Sequence, residues 1–101
     1  MTVRLYYNQR TNGGSVDWEC WEAVNPESRG HVVYGDYYSL KKKDFILPEG
    51  FSVRVDLFGV ERIVNSEGYV VDIRGDYEEN PYLVDFRGHD DLRVYHLKEA
   101  V

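Results

Sequence analysis

Apolar and polar residues alternate along most of this chain, and the apolar positions are rich in Val and Tyr. A period of two between turn signals predicts β-strands. The pattern places them at residues 2–8, 16–24, 31–40, 45–47, 52–58, 60–65, 69–75, 82–88 and 92–98. Between them lie "TNGG", "NPESRG", "LPEG", "SEG", "EENP" and "GHDD", whose Gly, Pro, Asn and Asp residues suit tight turns. Short connections favour antiparallel neighbours. Only residues 15–25, "SVDWECWEAVN", fit two periods. A strand puts Val16, Trp18, Cys20 and Val24 on one face, whereas a helix capped by Ser15 lines up Val16, Cys20 and Val24. The two Trp and the preceding "NGG" favour the strand. The expected fold is therefore all-β, a small antiparallel barrel or sandwich in one domain over residues 1–101, becoming α+β if 15–25 is helical.

One pattern recurs. "VRVDLFG" at 53–59, "YVVDIRG" at 69–75 and "YLVDFRG" at 82–88 each place Val-Asp before an apolar residue and end in Gly. The spacing is too irregular for a solenoid. Alternation puts Tyr69, Val71 and Ile73 on an inner face, with Tyr82, Val84 and Phe86 beside them, and leaves Asp72, Arg74, Asp85 and Arg87 outside. Pairing Gly75 with Tyr82 opposes Asp72 to Asp85, which like charges disfavour. Pairing Tyr77 with Tyr82 opposes Asp72 to Arg87 and Arg74 to Asp85, the preferred register. A turn at "SEG" pairs Asn65 with Tyr69, so that Ile63 faces Val71 and Arg62 faces Asp72. The repeated Asp and Arg read as register markers on a solvated face. The core is expected to hold Trp18, Val55, Leu57, Ile63, Val71, Ile73, Val84, Phe86 and Val94.

Composition narrows the partners. The net charge is −6, and residues 69–91 carry seven acids against two bases. Nucleic-acid affinity rests on cations along the backbone, so direct nucleic-acid binding is disfavoured. The run Lys41–Lys43 is expected to cap a solvent-facing turn. Cys20 is the only cysteine, so no intrachain disulfide forms, which fits a cytoplasmic location. No apolar run reaches membrane-spanning length, and no signal-peptide pattern follows Met1, so no membrane contact is expected.

Catalytic candidates are sparse. His31, His89 and His96 stand in no metal-ligand or nucleophile spacing, Cys20 is flanked by Glu19 and Trp21 rather than by bases, and "NGG" lacks the Lys of a phosphate loop. The reading is a non-enzyme without metal or cofactor. Protein binding fits what remains, because Tyr and Trp enrich interface cores and acidic loops steer basic partners. The expected binding residues are Asp76, Tyr77, Glu78, Glu79 and Tyr82 around "EENP", Asp90 and Asp91 at "GHDD", and Tyr34, Tyr37 and Tyr38. By class and composition this suits an inhibitor or neutralising partner, of the phage anti-defence or immunity type, covering a basic surface of a nucleic-acid-handling protein. One alternative is a structural or accessory subunit of a virion or complex that self-associates. The other is a small β-barrel nucleic-acid or ligand binder.

Overall fold

The computed structural model describes residues 1–26, 36–87 and 91–101. Among them lie nine strands: β1 Thr2–Asn12, β2 Ser15–Glu22, β3 Asp36–Ile46, β4 Ser52–Val55, β5 Glu61–Val64, β6 Asp72–Arg74, β7 Tyr82–Phe86, β8 Leu92–His96 and β9 Lys98–Glu99. Every pairing is antiparallel. The ambiguous segment is strand. Asn12 pairs with Ser15 across Gly13 and Gly14, both at positive φ (63° and 85°), the backbone that a two-residue hairpin requires and glycine adopts freely.

The strands form two layers. One is the sheet β2-β1-β3-β9. The other runs β4-β5 and β6-β7-β8, joined by the Val64–Val70 bridge and by the Val71 N–H donating to Ile63 O at 3.0 Å. Between them lie Val3, Leu5, Tyr7, Trp21 and Phe45 from the first layer and Ile63, Val71, Leu83 and Leu97 from the second, with Leu47 and Phe51 at the crossing. Burying side chains of this kind contributes about 1.5–3 kcal/mol each. Edge-on contacts of Trp21 with Tyr7 (5.5 Å) and Phe45 (5.6 Å) fix the ring at the centre of the first layer.

The β5–β6 register is the expected one: Asn65 N–H donates to Tyr69 O at 2.9 Å, and Ile63 and Val71 are both buried. The β6–β7 register is not. Asp72 pairs with Val84, Ile73 with Leu83 and Arg74 with Tyr82. This is an odd-numbered displacement from the expected pairing, and an odd slip turns every side chain of a strand to the other face. Leu83 and Asp85 consequently point inward, and Phe86 and Val94 are exposed, while Val84, paired with Val94 on that other face, is buried as expected. Asp72 bonds Arg74 of its own strand at 3.0 Å, Arg62 lies 3.5 Å from Asp56, and the charge row Arg62–Asp72–Arg87 does not form.

Three further expectations are corrected. Val55 and Leu57 are exposed, because β4 stops at Val55 and Asp56 opens a tight turn. Trp21, not Trp18, enters the core, because pairing with the buried Tyr7 selects that face of β2, while Trp18 is half-buried against Tyr37 at 5.7 Å. Lys41–Lys43 cap no turn: they lie inside β3, which runs on as one strand through the residues expected to begin a separate one. A register shift at Tyr7/Asn8 accommodates this length.

Candidate protein-binding surface

The acidic turn is anchored rather than free. Gly75 leaves β6 at φ 131°, where an added Cβ would lie 3.1 Å from Pro81 Cα and 3.3 Å from Asn80 O. Only glycine makes this exit without strain. Within the turn, Glu79 N–H donates to Asp76 O at 3.2 Å, and Asp76 N–H donates to the Glu79 carboxylate at 2.8 Å. The opposite layer then holds it. Trp21 Nε1–H donates to Asp76 O at 3.3 Å, the Tyr77 ring meets Tyr7 edge-on at 5.4 Å, and the Lys41 ammonium sits 4.2 Å from the Tyr77 ring centre while donating to Tyr77 O. Burial pushes the Tyr7 phenol above its ordinary value, with Glu19 and Asp76 adding to the shift.

The fixed backbone leaves Asp76, Glu78 and Glu79 exposed, and among the described residues none has an ion-pair partner. Tyr77 belongs to the tie between layers and is nonetheless exposed. Tyr82 stands apart from it, half-buried on the outer face of β7 against His96 at 5.3 Å. Asp91 is exposed and paired with Arg93 at 3.3 Å.

The tyrosines of β3 divide. The Tyr37 hydroxyl turns inward and donates to Glu22, beside the fully buried Asn8, whose Nδ2–H reaches Glu22 at 2.8 Å, Val24 O at 2.9 Å and the Tyr37 oxygen at 3.2 Å. Tyr38 is exposed and donates to Gln9 at 2.5 Å. Tyr34, Asp90, His31 and His89 lie outside the described residues. The structure thus gathers Asp76, Tyr77, Glu78 and Glu79 into one rigid feature and separates them from Tyr37, Tyr38, Tyr82 and Asp91.

Other chemistry is thin among the described residues. No group of three or more His, Cys, Asp or Glu is placed to hold a metal ion. Burial pushes the Cys20 thiol up to about 12, with Glu22 adding to the effect. A cleft of about 180 Å³ between Cys20–Val24 and the β5–β6 backbone carries Glu22, Glu61, Arg62 and Asp72 at its walls. No helix is long and apolar enough to cross a membrane.

The alternation pattern missed one feature: the hairpin tip "DLFGV" at 56–60. Its Asp56 carboxylate accepts from Phe58 N–H at 2.8 Å and Val60 N–H at 3.0 Å, while Leu57 and Phe58 stand 100% and 91% exposed. An available signal was the sister sequence "NSEGY", where Asn65 Oδ1 accepts from Glu67 and Tyr69 N–H in the same way. Asp or Asn followed three residues later by Gly marks both turns.

Comparison with protein-family models, with curated proteins and with solved structures gives no match, so the surface is read from its own geometry.

Proposed function

We propose that this protein is a non-enzymatic binding module of the cytoplasm, an inhibitor or neutralising partner whose acidic turn Asp76–Asn80 docks on a basic protein surface. The observation that carries the reading is the tie of that turn to Trp21, Tyr7 and Lys41, which presents carboxylates without ion-pair partners among the described residues on a backbone held by the opposite layer. Preorganisation lowers the ordering cost of association, and clustered charge of one sign raises its rate. Nucleic-acid binding draws less support, because Lys41 is committed to Trp21 and Tyr77 and Lys43 to Glu99 at 2.6 Å, which breaks the basic run. A small-ligand site also draws less, since the cleft of about 180 Å³ at Cys20–Val24 is below the usual size for such pockets and the one of about 300 Å³ at Tyr6, Ser39 and Lys41 only reaches its lower end.

The test starts from a partner captured from the native host by the wild-type chain and purified. Association rates are then measured across a salt series for wild type and for Glu78→Lys with Glu79→Lys. The expected result is slower association and a flattened salt dependence in the double variant, with dissociation changed much less. Association indifferent to both salt and charge reversal would refute the acidic turn as the docking element.

A further inference from the structure

The inner face of the first layer runs on past the core. On β1, Val3, Leu5 and Tyr7 are buried between the layers, whereas Gln9 and Thr11, which alternation puts on the same face, are only part-buried. The register sets Trp21 opposite Tyr7, and Glu19 and Tyr38 on either side of Gln9. Those three side chains form a hydrogen-bonded row: the Tyr38 hydroxyl donates to Gln9 Oε1 at 2.5 Å, and Gln9 Nε2–H donates to Glu19 Oε2 at 2.7 Å. The row orients the Glu19 carboxylate, a diagonal neighbour of Tyr7 and within its reach. Glu19 is exposed and has no ion-pair partner among the described residues.

The acidic turn walls this shelf on its core side. Asp76 O takes the Trp21 indole N–H at 3.3 Å, and the Tyr77 ring meets Tyr7 edge-on at 5.4 Å, so Asp76 of the second layer and Glu19 of the first converge on the Tyr7 hydroxyl. Tyr7 is 4% exposed, and burial, Glu19 and Asp76 together hold its phenol above its ordinary value. The groups turned toward it are carboxylates, which accept, so the phenol oxygen receives no hydrogen bond among the described residues. Lys41 does not supply one, because its ammonium donates to Tyr77 O and sits on the Tyr77 ring. A corner of two carboxylates and a buried phenol oxygen lacks a donor that carries positive charge. We propose that it takes the guanidinium of one arginine of the basic partner, with N–H groups divided between Glu19 and Asp76 and one directed at the Tyr7 oxygen. The planar fork of five donors can serve acceptors from both layers at once, which a compact ammonium does less well. A bare metal ion is disfavoured, since the corner offers two carboxylates and no group of three or more His, Cys, Asp or Glu is placed for one among the described residues. This inference rests on the acidic turn as the docking element and adds to it an anchor on the first layer.

Backbone amide NMR supplies a test that needs no captured partner. A Gly-Arg-Gly peptide blocked at both ends, titrated into the protein, should shift the signals of Gln9, Glu19, Asp76 and Tyr77 together and saturably. The same peptide with citrulline or lysine in place of arginine should bind several-fold more weakly. Glu19→Gln removes one charge at an exposed position and should weaken the arginine peptide about three- to tenfold. Tyr7→Phe keeps the ring in the core, removes the phenol oxygen and should weaken it by a similar factor. Signals far from the corner should stay in place in both variants, which verifies the fold. No saturable shift, shifts confined to 78–80, an equal response to the citrulline peptide, or wild-type binding by Glu19→Gln would each overturn the anchor. Shifts confined to 78–80 would leave the acidic turn as the docking element. Association with the partner indifferent to salt and to reversal of Glu78 and Glu79 would instead remove the turn while leaving the peptide result intact, so the two readings fail separately.

Discussion

Asp56, Asp72 and Asp85 share a sequence context and occupy three different environments. Asp85 is buried at 1% exposure, accepting from Asn65 Nδ2–H at 3.0 Å and from Arg87 Nε–H at 2.5 Å. The Arg87 guanidinium is held above its ordinary value chiefly by that hydrogen bond. Removing the carboxylate strands the Asn65 amide in the interior, so Asp85→Ala should cost about 2–3 kcal/mol in urea unfolding. Asp72, exposed beside Arg74, should lose under about 1 kcal/mol when changed to Ala. Asp56 is held below the usual carboxylate range, chiefly by the Val60 N–H, with burial opposing and Phe58 N–H and Arg62 assisting. A depressed folded-state pKa stabilises fully above the unfolded value of about 3.9 and is lost as pH falls through the folded value. Asp56→Asn keeps both backbone bonds, as Asn65 does in the sister turn, and should flatten the stability loss below about pH 4. Cys20 completes this scale: with its thiol pushed up to about 12, alkylation at mildly alkaline pH should be slow in the native protein and speed up on unfolding.

At the scale of the element, the β6–β7 hairpin decides most. Because Asp72 faces outward opposite Val84 while Asp85 and its partner Arg87 sit on the inner side, Asp72→Arg and Arg87→Asp should act independently. A double-mutant cycle should give additive losses within about 0.5 kcal/mol. Gly75→Ala forces a side chain into a left-handed backbone against Pro81, and should destabilise by about 1–3 kcal/mol while loosening the turn that follows. The alternation pattern placed both strands of this hairpin, but the turn expected at 78–81 lies instead at Asp76–Glu79, with Arg74 rather than Tyr77 opposite Tyr82. It misassigned the face of β7 alone, because Tyr82, Val84 and Phe86 look as apolar as an inner face should; Leu83 and a charged Asp85 face the core instead, although Val84 is buried as expected. A carboxylate enters the interior there only because Asn65, from the end of a different strand, arrives to bond it.

The whole molecule explains why the acidic turn is a feature rather than a flexible tip. Its contacts come from Tyr7, Trp21 and Lys41, residues far from it in sequence that the first layer delivers to one place. Trp21→Phe removes the indole donor while keeping an aromatic ring in the core. It should speed amide hydrogen exchange across Asp76–Glu79 more than elsewhere, with a global loss near 1 kcal/mol. Equal acceleration throughout the chain would mean that the indole supports the core but not the turn.

Strand content, antiparallel hairpins, the Gly13–Gly14 turn and the β5–β6 register were determined by local sequence, because turn chemistry and a period of two act over a few residues. Face, depth and partner were decided by the tertiary structure. Both faces of β7 carry apolar residues, so alternation alone could not choose between them; the choice came from pairing Ile73 with Leu83 above a core built largely by the first layer. The same holds at β4, where an alternating stretch lies past the edge of that core and Val55, Leu57 and Phe58 remain in solvent. A strand period states that side chains point to opposite sides, and only the opposing layer determines which side is inside.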